Sequence, residues 1–213
     1  MGIPVLILGE SGSGKSASLR NFDENEVGIF NVASKPLPFR KKLPTSNGHS
    51  YSKIEKALSA PSRKAYVIDD SQYLLAFEFF DRAKETGYQK FTDIALNFRN
   101  LIQHVIAGTP KDVIVYFLHH TERSDDGHIK AKTVGKMLDE KLTVEGLFSI
   151  VLMAQTDGRE HWFLTQNDGY TPVKAPMEMF EQAKIDNDLK AVDATIREYY
   201  ELNKKEENNN ETH

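Results

Sequence analysis

Gly9-Glu10-Ser11-Gly12-Ser13-Gly14-Lys15-Ser16 is the stretch that decides how the rest of the chain is read. It fits G-x-x-x-x-G-K-[ST], the pattern of a phosphate-binding loop. Ile3-Pro4-Val5-Leu6-Ile7-Leu8 precedes it as a short apolar run suited to a buried parallel strand. Ala17-Ser18-Leu19-Arg20 comes after it and can continue a helix. Glycines let successive backbone N–H groups converge on phosphate oxygens, and a helix start adds partial positive charge. In this reading Gly9 to Ala17 cradle a nucleotide, Lys15 reaches the outer phosphates and the Ser16 hydroxyl ligates Mg²⁺. Lys15 is expected to be a surface charge when the site is empty. The competing reading is a glycine-rich turn that happens to hold Lys and Ser; the strand before it and helix after it weigh against that.

A second stretch answers the first. Ala65-Tyr66-Val67-Ile68-Asp69-Asp70 is an apolar strand ending in two acids. A carboxylate at the carboxyl end of a buried strand, beside the loop, is what a magnesium shell requires. Asp69 is assigned to the metal, and Asp70 to orienting or deprotonating the attacking water. The bland alternative is a helix start, since Asp caps helices well. A third run, Asp112 to Leu118, is the strongest β signal in the chain and ends in His119-His120-Thr121-Glu122. Polar groups at the carboxyl end of a central strand lie where ligands bind in open α/β sheets. His120 is ranked first as a γ-phosphate sensor, ahead of a structural histidine and a metal ligand. His119 should point the other way, because side chains alternate along a strand.

The remaining pattern fills in an α/β domain. Val27 to Val32 reads as the second strand, and the proline-bearing segment from Ala33 to Ser50 as a long loop. Arg40-Lys41-Lys42 in that loop is the densest basic cluster; a solvated loop is preferred there to a nucleic-acid or phosphate contact. Ser52-Lys53-Ile54-Glu55 has the form of a capping box, opening a helix to about Ala60. Helices are expected from Tyr73 to Thr86 and from about Lys90 to Ala107. Arg123 to Lys141 reads as a polar loop facing the nucleotide side, with a solvated loop as the alternative. Phe148 to Gln155 and Glu160 to Gln166 form a hairpin signal. Pro176 is taken to open a helical region with an apolar stripe through Ile185, Leu189, Val192, Ile196, Tyr199 and Leu202. The divisions are therefore a 1–176 core, a 177–203 amphipathic helical extension and a disordered 204–213 tail.

Composition sets outer limits. The 213 residues carry 39% hydrophobic and 27% charged side chains, within the ordinary globular range. No apolar run approaches a bilayer span, and the chain enters a strand at once, leaving no room for a signal peptide. With 0 cysteines there is no disulfide framework and no thiolate metal site; a reducing cytoplasm fits. The net charge of −4 is uneven. Residues 177–213 hold ten acids and five bases, leaving 21 acids and 22 bases in residues 1–176. Such a balance neither demands nor forbids nucleic acid.

On the loop Gly9–Ser16, the strand end Val67-Ile68-Asp69-Asp70-Ser71, the strand ending at His120 and Lys174-Ala175-Pro176, the chain resembles RecA-like P-loop ATPases. More narrowly it is similar to compact phage-encoded nucleotide-binding proteins of the AAA type, some of which anneal or recombine single strands. The resemblance spans about Ile3 to Pro176 and implies a mostly parallel central sheet flanked by helices, with a C-terminal β-hairpin and helix. It implies that the His120 strand lies between the loop strand and the Asp69 strand, with His120 as the sensor. It further implies ATP and Mg²⁺ as ligands, ADP as product, single-stranded DNA and phage replication or recombination proteins as partners, and homo-oligomeric rings or filaments in a bacterial cytoplasm. RecA-like enzymes commonly carry a glutamate at the end of the second strand, where this chain has Asn31-Val32-Ala33-Ser34-Lys35. Either Asp70 takes that role or hydrolysis is weak. Two other classes stay open: a nucleotide-dependent switch or partner-binding module, and a small-molecule kinase, against which the lone Arg123 among lysines speaks.

Overall fold

The computed structural model describes residues 1–135 and 142–203. Strand β1 (Ile3–Gly9) is the centre of a mixed sheet. Its neighbours are β5 (Ile114–Arg123) on one side and β7 (Ile150–Thr156) on the other, both parallel to it. Outward from β5 come β4 (Ala65–Asp69), β2 (Val27–Asn31) and the three-residue β3 (Thr45–Asn47), again all parallel. Outward from β7 the sheet turns antiparallel through β8 (His161–Leu164) and β9 (Lys184–Asp186). A short β6 (Ile129–Ala131) pairs antiparallel with the far end of β5. The expected α/β class, the mostly parallel sheet, the hairpin β7–β8 and the place of the His120 strand between β1 and β4 all hold.

Alternation along the strands splits the core into two layers. Leu6, Leu8, Val115 and Phe117 face one side, where they meet helices α1 (Tyr51–Ser59), α2 (Gln72–Asp81) and α3 (Gln89–Gly108). Val5, Ile7, Tyr116 and Leu118 face the other, where they meet Leu19, Phe22 and helix α4 (Leu189–Tyr199). Fully buried strands covered on both faces read as near-continuous apolar runs, which is why β1, β4 and β5 were visible in the sequence.

Several boundaries differ from the sequence reading. β5 does not end at His120 but runs on to Arg123, its tail supported by β6 inside the segment read as loop. The cap of α1 is Ser50, whose side chain accepts from the Lys53 N–H, not Ser52. α2 ends at Asp81, five residues early, where Arg82 draws in Glu78, Glu85 and Asp93. The region from Pro176 to Asp188 is not helical: Glu178 adopts a left-handed φ of 65°, and residues 184–186 form an edge strand. The segment after residue 176 thus joins the same sheet rather than extending from it. α4 buries Leu189, Val192 and Ile196 on the core. It is fixed by Tyr116 Oη donating to Asp193 at 2.8 Å and by Arg197 donating to the Asp112 and Lys64 carbonyls at 2.9 and 2.7 Å. Lys136, Lys141 and the 204–213 tail lie outside the described residues.

Candidate nucleotide site

The carboxyl ends of β1, β4 and β5 come together on one edge of the sheet. That edge, at the strand where the order reverses, is where open α/β sheets bind ligands. The loop Gly9–Ser16 leaves β1 there, with Gly12 at φ 82° and Gly14 at φ 95°. Both values suit glycine and admit other residues only with strain.

The loop leads into a six-residue 3₁₀ helix, Ser16–Asn21, instead of a longer α-helix. Ser18 Oγ bonds back to the Lys15 carbonyl at 2.6 Å, and Phe22 turns extended to enter the core. Arg20 and Asn21 are drawn sideways, Arg20 Nη1 to the Asn187 carbonyl at 2.6 Å and Asn21 Nδ2 to Asp188 at 2.8 Å. A helix this short adds little dipole at the loop, whose donors are its own backbone amides and Lys15.

Lys15 corrects the sequence reading. It is not a surface charge: the residue is 5% exposed, and Nζ donates to the Gly9 and Glu10 carbonyls at 2.7 and 2.9 Å. Burial pulls its pKa down to about 8, against the opposing pull of Asp70 and Asp69.

The two acids at the end of β4 diverge. Asp69 is buried and accepts from Ser16 Oγ at 2.7 Å, so the two oxygens expected to hold magnesium already face each other. Burial pushes the Asp69 pKa up, with the Ser16 bond opposing. Asp70 adopts a left-handed φ of 60°. It receives Lys35 Nζ on Oδ2 at 2.8 Å and His120 Nε2 on Oδ1 at 3.0 Å. Burial alone would raise its pKa, but those hydrogen bonds outweigh burial and bring it to about 2. A carboxylate so stabilised is a weak proton acceptor and a firm anchor for its two partners.

The histidine pair also divides. His120 packs edge-on against Tyr73, and Lys35 Nζ sits 4.9 Å from the same ring centroid. His119 is fully buried beside Phe98. Its Nε2 must donate to the Lys132 carbonyl at 2.9 Å, so its Nδ1 accepts from Ser71 Oγ at 2.9 Å. Ser71 N–H meanwhile covers the Leu118 carbonyl at 2.8 Å, which locks the ends of β4 and β5 together. Burial drives the His119 pKa down to about 4.

Three residues at this edge carried no signal in the sequence. Lys35 reaches Asp70 only because β2 pairs with β4. His161 and Asn187 press on the back of the loop, and a Cβ at Gly14 would stand 2.8 Å from His161 Nδ1 and 3.2 Å from Asn187 Nδ2. Only the fold brings residues so distant in the chain to Gly14. The basic segments are partly spent on internal pairs: Lys41 on Asp23 at 2.7 Å and Lys130 on Glu122 at 3.2 Å. Arg40 and Lys42 are exposed.

No protein-family model matches the chain, and no curated protein matches it significantly. Among the described residues no helix is long and apolar enough to cross a membrane.

Proposed function

We propose that the protein binds MgATP at Gly9–Ala17 and hydrolyses it slowly to ADP while acting on single-stranded DNA, as a RecA-like P-loop ATPase of phage replication or recombination. The observation that carries this reading is the convergence of Lys15, the Ser16–Asp69 pair and the Asp70–His120 pair on one strand edge. The Ser16 hydroxyl and Asp69 carboxylate are hard oxygen ligands, and two of them with water and phosphate suit Mg²⁺. The metal would neutralise phosphate charge there. Lys15 would exchange its two carbonyl partners for phosphate oxygens. His120, held by Asp70, would stand where the outer phosphate ends.

One observation favours the switch-like alternative over fast turnover. Asn31, at the end of β2 where a catalytic acid would stand, is committed to its own turn: it donates to the Lys35 carbonyl at 2.6 Å and accepts from the Lys35 N–H at 3.2 Å. Asp70 is meanwhile held by two donors. Both point to slow hydrolysis. Neighbouring subunits of a ring or filament would supply further positive charge.

The test is phosphate release from MgATP with and without single-stranded DNA, beside DNA binding over a salt series. Stimulation by DNA and affinity falling steeply with salt are expected. Tight MgATP binding without any DNA binding at low salt would leave the switch reading. Transfer of phosphate to a small molecule would favour a kinase.

A further inference from the structure

The connection from α2 to α3 carries aromatic rings that the core does not use. Phe80 is 68% exposed and Tyr88 is 90% exposed. Phe80 meets Phe79 edge-on with ring centroids 5.7 Å apart, and Phe79 meets Phe91 at 5.6 Å. The Tyr88 carbonyl accepts from the Phe91 N–H at 3.1 Å, so Tyr88 opens the helix that bears Phe91. Single exposed apolar residues are ordinary, but adjoining rings at one end of a helix pair mark a contact surface.

Charge at this end is divided. Arg82 gathers Glu78, Glu85 and Asp93 at 3.3, 2.6 and 2.7 Å, and His49 takes Asp81 at 2.8 Å. The carboxylates are thus held in pairs. Lys84 is exposed and makes no ion pair among the described residues. Lys90 places Nζ 5.1 Å from the Phe79 centroid and 5.4 Å from the Phe91 centroid, so one ammonium sits among the rings. The core of a protein–protein interface is depleted in lysine. Single-strand grooves instead combine cations for phosphate with rings on which bases stack. The mixture here favours a nucleic-acid strand over a protein.

The rings also adjoin the nucleotide edge of the sheet. The Lys132 N–H donates to the His120 carbonyl at 2.9 Å. Further along, Gly135 lies so close to Phe91 that a Cβ there would stand 2.9 Å from Cδ1. Residues 132–135 therefore run from the end of β5 to the aromatic group, and exposed Lys132 adds a cation on the way.

We propose that Phe80 and Tyr88, flanked by Lys84 and Lys90, form the platform on which bases of a bound single strand stack, with the lysines serving its phosphates. This rests on the single-strand reading above and gives that strand a place on the molecule.

The probe is a fluorescein-labelled oligothymidylate, followed by anisotropy with the full chain at low salt and MgATP present. Phe80→Ala and Tyr88→Ala should each weaken binding about tenfold, the effect of losing one stacked base. Tyr88→Trp should keep the wild-type affinity, because the larger ring stacks as well. MgATP affinity, read by calorimetry, should stay at the wild-type value in all three variants. An abasic strand of the same length keeps the phosphates and should bind the wild-type protein at least about tenfold more weakly than oligothymidylate; this comparison stands if a variant fails to fold. Undiminished binding by folded Phe80→Ala and Tyr88→Ala would overturn the platform, assign the rings to a protein partner and leave the single-strand reading in place. Equal affinity for the abasic strand would overturn the platform as well. No binding of oligothymidylate by the wild-type protein would overturn both the platform and the reading beneath it.

Discussion

His161 Nδ1 lies 3.1 Å from the Ser13 carbonyl oxygen and joins β8 to the Gly9–Ser16 loop from behind. The carbonyl can only accept, so the imidazole donates. The missing side chain of Gly14 leaves room for that ring, and Asn187 closes the same space. Replacing His161 with Ala should therefore loosen the loop and weaken MgATP binding several-fold, with fold and melting temperature nearly kept. Gly14→Ala combines a forbidden φ of 95° with the contact on His161 and should abolish binding. Isothermal titration of MgATP distinguishes the two. Unchanged affinity in folded His161→Ala would show that the loop holds its shape alone.

Lys15 gives a second expectation, of opposite signs in function and stability. Its folded pKa of about 8 lies below the ordinary 10.5, so the unfolded chain binds more protons between those values. Stability then rises with pH across that window, and below it the buried charge costs its full penalty. Lys15→Met should weaken MgATP binding by on the order of a hundredfold, the effect of losing a charged phosphate contact. It should nevertheless keep or raise the melting temperature of the empty protein at pH 7. A fall of several degrees would show that the bonds to the Gly9 and Glu10 carbonyls outweigh the desolvation of the ammonium.

The two acids should separate cleanly. Asp69→Asn weakens magnesium-dependent nucleotide binding, because the charged partner of Ser16 is gone. Asp70→Asn spares binding and slows phosphate release, because Lys35 and His120 lose the anchor that orders them. Lys35→Met should resemble Asp70→Asn in turnover more than in affinity. If Asp70→Asn hydrolyses at the normal rate, water is activated elsewhere, and Glu10 and Glu122 are the next residues to replace.

How far the sequence reached depends on what each residue's role requires. The strands β1 and β4 and residues 114–118 of β5 are largely apolar, so their existence and the polar residues that follow them, the Gly9–Ser16 loop, Asp69 and His120, could be read directly. Thr45-Ser46-Asn47 is exposed throughout and pairs only with β2, so nothing apolar marked it as a strand. Lys184-Ile185-Asp186 offered one apolar residue, whose spacing also suited a helix stripe. Lys35, His161 and Asn187 act through pairings set by sheet order, and local pattern holds no trace of them. The burial of Lys15 was missed for another reason: the loop's own Gly9 and Glu10 carbonyls hold the ammonium.

His119 carries the last expectation, one of stability. Its ring is enclosed by Phe98, Ser71 and the Lys132 carbonyl, with Nε2–H donating and Nδ1 accepting. Protonating Nδ1 would turn the Ser71 hydroxyl's hydrogen to the Leu118 carbonyl, 3.1 Å away, and leave a positive charge in a fully buried site with no acid beside it to compensate. The folded pKa of about 4 lies below the ordinary 6.5, so between these values the unfolded chain binds the extra proton. Stability is therefore complete above about pH 6.5 and falls as pH drops towards 4, by up to about 3 kcal/mol for the full shift. His119→Gln keeps a side-chain amide that can serve the same two partners without titrating. It should cost about 1–2 kcal/mol at pH 7, and flatten the acid limb of a urea-denaturation series between pH 6.5 and 4.5. His120→Ala, by contrast, should leave that limb in place and lower turnover or its response to DNA. An acid limb equally steep in folded His119→Gln would assign the loss to other groups.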